Sequence, residues 1–106
     1  MGIDRDSVDN AVRFTFVQQK SYIISSTQTG YWQFQMHGQR NVIDFIYLTG
    51  ATSSSGIDVK KLGNNWFTYE VYWDGSRVCC KVTNNSTNGD IVCLIQSCFS
   101  FKITEA

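Results

Sequence analysis

Phe67-Thr68-Tyr69-Glu70-Val71-Tyr72-Trp73-Asp74-Gly75-Ser76-Arg77-Val78-Cys79-Cys80-Lys81-Val82 is the stretch on which the fold reading turns. Phe67, Tyr69, Val71 and Trp73 alternate with Thr68, Glu70 and Tyr72, a period of two that marks a half-buried strand. Asp74-Gly75 is a strong two-residue hairpin signal, because a type I′ turn needs positive φ at both central positions. Closing the turn there pairs Trp73 with Ser76, Val71 with Val78, Tyr69 with Cys80 and Phe67 with Val82. The opposite face then carries Tyr72 with Arg77, Glu70 with Cys79 and Thr68 with Lys81. Turn chemistry and hydrophobic pattern agree, since a slip of one residue would mix the two sets.

The same alternation recurs outward from this hairpin. Val12, Phe14 and Phe16 form one stripe, Trp32, Phe34 and Met36 a second, and Phe99, Phe101 and Ile103 a third. Gly38-Gln39-Arg40-Asn41 reads as a second hairpin turn, pairing Met36 with Ile43, Phe34 with Phe45 and Trp32 with Tyr47. Its other face would carry Tyr31, Gln33, Gln35, His37, Asp44 and Ile46. A third turn over Asn84 to Gly89 would bring Cys80 opposite Cys93. Residues 1–10 read as a polar lead-in, and residues 11–106 as one domain. No segment has a convincing helical period. About eight short strands joined by tight turns imply an all-β protein, an antiparallel two-sheet sandwich of jelly-roll or lectin-like type.

Composition narrows the function classes. The chain has 106 residues, enough for one core without a metal or disulfide. Lys plus Arg equals Asp plus Glu, nine each, and no cationic cluster stands out. Nucleic-acid partners are therefore disfavoured, as is docking through a polybasic segment. No apolar run reaches the ~20 residues of a membrane span, and the charged first residues are not a signal peptide. Cys79, Cys80, Cys93 and Cys98 suit either disulfides, with Cys80–Cys93 the candidate pair, or buried thiols. Their spacing does not suit zinc. No cofactor motif is present.

Catalytic signals are thin. His37 is the only histidine, no nucleophile elbow accompanies it, and no second acid shares the Glu70 face of the hairpin. The expectation is a protein that is not an enzyme. Binding reads better. Trp66 and Tyr72 would stand on the face opposite the core aromatics, among Glu70 and Arg77. An aromatic ringed by hydrogen-bonding groups suits a sugar, whose C–H face stacks while its hydroxyls are held by polar groups. His37, Arg40 and Asn41, at the end of the second hairpin, are further candidates. Asn84 and Asn85 open overlapping glycosylation tripeptides, which together with the cysteines suggest an extracellular or cell-surface setting.

Asn65 to Ser76 resembles the W-x-x-x-x-V-x-W-D-G-S strand-turn of laminin G and concanavalin A-like sandwiches. It is also similar to a segment of the domain named after farnesoic acid O-methyltransferase, with Gly38, Asn41 and Ile43 resembling an earlier strand of that family. Over residues 30–83 the resemblance implies a β-sandwich and a binding role. The His-x-Asn-x-Arg strand of galectins is absent. The leading expectation is a lectin-like, carbohydrate-binding module with a glycan or glycoprotein as partner. The rival is a protein-interaction or self-assembly module of a viral or cell-surface protein, capable of homo-oligomerisation.

Overall fold

The computed structural model describes residues 5–6, 11–26, 32–48, 57–63 and 65–106. They form ten strands: β1 Arg5–Asp6, β2 Ala11–Phe16, β3 Ser21–Ser26, β4 Trp32–Gly38, β5 Val42–Leu48, β6 Ile57–Lys61, β7 Phe67–Trp73, β8 Val78–Asn84, β9 Ile91–Ser97 and β10 Phe101–Glu105. Two five-stranded antiparallel sheets result, ordered β1-β10-β3-β8-β7 and β2-β9-β4-β5-β6. The pairs β1·β10, β2·β9, β3·β8 and β4·β5 are nested in sequence and alternate between the sheets. That nesting is jelly-roll topology, with β6 and β7 added at one edge of each sheet. The expected all-β sandwich is therefore what the chain forms. Residues 5 and 6 of the supposed lead-in pair with Ile103 and Lys102.

The two inner faces meet in an aromatic core. Phe16 is fully buried and stands edge-to-face against Phe14, Tyr22 and Phe67, with centroids 4.9, 5.4 and 5.2 Å apart. Phe14 and Phe16 come from one sheet, Tyr22 and Phe67 from the other, so these contacts join the layers. Each such pair adds about 0.5–1.5 kcal/mol beyond the area it buries. Trp32 is buried with its indole N–H satisfied, donating to Ser97 Oγ at 2.7 Å.

Three turns differ from expectation, each for a physical reason. The β7–β8 loop is Asp74 to Arg77, four residues, so Trp73 pairs with Val78 and Val71 with Cys80. Asp74 Oδ1 accepts the backbone N–H groups of Ser76 and Arg77, both at 2.8 Å, which removes Ser76 from the ladder. The shift is two residues, so every side chain keeps its expected face. The β4–β5 loop is the three-residue turn Gln39–Asn41, with Arg40 and Asn41 both left-handed at φ of 61° and 59°. Here the shift is one residue: Phe34 pairs with Ile46 and Met36 with Asp44. The whole strand is inverted relative to expectation. Val42, Asp44 and Ile46 point inward, and Ile43, Phe45 and Tyr47 point out.

The third turn is not a hairpin at all. β8 and β9 lie in opposite sheets, and the chain crosses between them through a knot of polar contacts. Fully buried Asn84 donates Nδ2 to the Phe16 carbonyl at 2.8 Å and accepts the Ser86 N–H at 2.8 Å. Buried Ser86 Oγ in turn accepts the Asn88 N–H at 2.9 Å. Cys80 and Cys93 are thus not cross-strand neighbours, and all four thiols are free. Asn84 is also corrected as a glycosylation acceptor, because its amide is consumed in the core. Asn85 is exposed and bonds Thr68 Oγ1 at 2.9 Å. Asn84→Ala leaves two buried backbone groups unpaired, at about 1–3 kcal/mol each. Thermal melts should show it more than about 10 °C below wild type, and Asn85→Ala close to wild type.

Candidate functional site

The slip in β5 adds Phe45 and Tyr47, which the sequence pattern places inside, to the Gln33, Gln35 and His37 face of the second hairpin, and takes Asp44 from it. The outer face of the β2-β9-β4-β5-β6 sheet carries Phe45 at 37% exposure and Tyr47 at 41%. The register sets each among polar neighbours. Gln96, Gln35, Phe45 and Lys60 form one row across four strands. Gln33, Tyr47 and Asp58 form a second. Arg13, Leu94, His37 and Ile43 form a third. Gln35 Nε2 donates to Gln96 Oε1 at 2.5 Å, which holds the two amides in one plane of the sheet. The His37 ring stands edge-on to Phe45, centroids 6.4 Å apart. Two shallow depressions flank this strip. One is lined by Gln33, Gln35, Phe45 and Gln96, the other by Arg13, Thr15, His37, Gln39, Val92 and Leu94.

The candidate residues are divided among three places. Glu70 and Tyr72 lie on the outer face of the other sheet, with Lys81 paired to Glu70 and Cys79 to Tyr72. Arg77 is in the turn beside them, and its side chain helps line a groove with Tyr72, Cys79 and Lys102. His37 alone of the set stands on the Phe45 face. Trp66 is not an exposed platform. It is half-buried against the core, and its indole N–H donates to the Arg40 carbonyl at 3.0 Å. Arg40 in turn donates to the Asn88 carbonyl at 2.7 Å, so Arg40 and Trp66 clasp one end of the sandwich. Exposed Asn41 completes that turn. Tyr31 lies outside the described residues. The two candidate faces look away from each other, because the hairpins belong to different sheets.

Electrostatics offer no activated nucleophile in the described residues. Burial, and then the charge of Asp74, push the Cys79 thiol up to about 11. Burial and Asp44 push Cys93 up to about 12, and burial raises Cys80 further. Thiols held protonated in this way are poor nucleophiles. Asp74 is held below the usual carboxylate range by the Ser76 and Arg77 amides. Asp44 is the reverse case. It is fully buried, its pKa is raised by desolvation, and Oδ2 accepts the Tyr69 hydroxyl while Oδ1 has no partner among the described residues. Among the described residues no group of three or more His, Cys, Asp or Glu could hold a metal ion. No helix among them is long and apolar enough to cross a membrane.

Fold and surface together define a jelly-roll sandwich with an aromatic, amide-rich outer sheet face. Among solved structures the chain is similar to a tailspike protein, gp49, of Acinetobacter baumannii bacteriophage Fri1, described as a capsular polysaccharide depolymerase. The match has a TM-score of 0.51 at 10% identity and covers 99% of this chain. This chain spans 20% of the tailspike's length, so the likeness is one of fold. No family model and no curated protein matches the chain.

Proposed function

We propose that the protein is a non-catalytic, glycan-binding module whose site is the outer face of the β2-β9-β4-β5-β6 sheet. The observation that carries the reading is the exposure of Phe45 and Tyr47 beside Gln33, Gln35 and Gln96. The rings can cover the C–H face of a pyranose, and the amides can donate to and accept from its hydroxyls. The strip is open and lies across several strands, which suits a chain of sugars better than a small enclosed ligand. A polysaccharide-degrading fold neighbour is compatible with this, although the fold alone does not assign a ligand.

Glycan-array screening followed by calorimetry on the best binder tests the reading. Phe45→Ala and Tyr47→Ala should each weaken binding about tenfold, the loss of one ring contact. Tyr72→Ala, on the opposite face, should change affinity less than twofold. Unchanged binding in both Phe45→Ala and Tyr47→Ala, or no glycan bound by the wild type, overturns the proposal. The same face supports one rival. Exposed Ile43 and Leu94 extend the apolar strip, and a chain of zero net charge associates readily. Sedimentation that shows dimers dispersed by Phe45→Lys would favour self-assembly over sugar.

A further inference from the structure

We infer that the depression between β2 and β4 selects the carboxylate of an acidic sugar, an inference that rests on the glycan reading above. Arg13 and His37 flank Leu94 in a single register row on the outer face. Adjacent strands are about 4.8 Å apart, so the two side chains stand about 10 Å apart at their roots, on either bank of a groove. Val92 and Leu94 form its apolar floor, and Thr15 and Gln39 add a hydroxyl and an amide at its walls. The groove is shallow and open, with about 720 Å³ of space along it.

Charge gives the site its direction. Among the described residues no carboxylate lines the groove and none forms an ion pair with Arg13. The guanidinium fork matches a carboxylate with two parallel N–H···O bonds. His37 adds an N–H donor on the opposite bank, and its ring leads directly to Phe45. A glycan stacked on Phe45 can therefore pass His37 and set a uronate or sialate carboxylate against Arg13. Lys60, paired with Phe45, is also cationic, and Asp58 is paired with Tyr47.

An array of acidic glycans, each printed beside its carboxyl-reduced counterpart, tests this on the full chain. The wild type should prefer the acidic member by about tenfold or more, the worth of a charge-assisted pair. Arg13→Gln should bring the affinity for the acidic member down to that of its reduced partner, and Arg13→Lys should restore part of the preference. Lys81→Gln, on the other sheet, should leave the preference intact. Equal binding of both members by the wild type, or a preference that survives Arg13→Gln, overturns the acidic-sugar inference and leaves glycan binding standing. Binding to no glycan overturns both. Tighter binding of a polyglutamate peptide than of any glycan overturns both in favour of an acidic protein partner.

Discussion

Tyr69→Phe will lower the unfolding free energy by about 1–3 kcal/mol at neutral pH, the cost of leaving a buried acceptor without its donor. Tyr69 reaches across from β7 to Asp44 on β5, and its hydroxyl is the hydrogen-bond partner of a carboxylate whose other oxygen has none among the described residues. Around the pair stand Lys61, Cys80 and Cys93. The Lys61 ammonium lies 5.4 Å from the Tyr69 ring centroid and donates to the Phe67 carbonyl at 2.6 Å, and both thiols remain protonated. The loss should be smaller at low pH, because protonation of Asp44 leaves less charge for the hydroxyl to satisfy. Urea unfolding at pH 4 and pH 7 measures both. Equal losses at the two values would mean that Asp44 does not change charge between them.

The pH dependence has a definite sign. Asp44 releases its proton near 3.8 in the unfolded chain and at a higher pH in the fold. Between those values the native state holds more protons, so stability falls as pH rises and then levels off. Asp44→Asn should abolish that decline. Asp74 acts on the other side of 3.8: its folded value is depressed, so its contribution is present above 3.8 and is lost as pH falls through the folded value. In Asp74→Asn the decline above 3.8 should persist, which separates the two carboxylates.

Gly63→Ala is the other large effect, expected to cost at least about 3 kcal/mol and to lower the melting temperature by more than about 12 °C. A methyl at Gly63 would overlap the carbonyl of Asn41. That backbone cannot easily yield. Arg40 and Asn41 are already left-handed, the Arg40 carbonyl holds the Trp66 indole, and Leu62 donates to the Ile43 carbonyl at 2.8 Å. Gly75→Ala makes the contrast, because nothing lies within 4 Å and only its φ of +100° resists a side chain. It should cost about 1–2 kcal/mol. A Gly63→Ala protein that melts within a few degrees of wild type would rule out the close approach. The substitution also bears on the proposed site, since the strand it disturbs presents Ile43, Phe45 and Tyr47.

Local pattern is enough to establish that the chain is all β, and which face of β2, β4, β7 and β10 is buried. Period-two stripes such as Phe67, Tyr69, Val71 and Trp73 are local, and a two-residue error at Asp74-Gly75 leaves them in place. It could not determine the face of β5. Val42-Ile43-Asp44-Phe45-Ile46-Tyr47-Leu48 is apolar on both faces apart from Asp44, so its pattern sets no register, and a four-residue turn over Gly38-Gln39-Arg40-Asn41 puts Asp44 on the solvent side. Tertiary structure reversed it, because Tyr69 and Lys61, distant in sequence, give Asp44 partners inside the sandwich. The reversal put Phe45 and Tyr47 outside, on the candidate surface. Which hairpins share a sheet was equally out of reach. The step from β6 to β7 crosses between layers and parts the Glu70 and Tyr72 face from the His37 face, and the step from β8 to β9, through buried Asn84, parts Cys80 from Cys93.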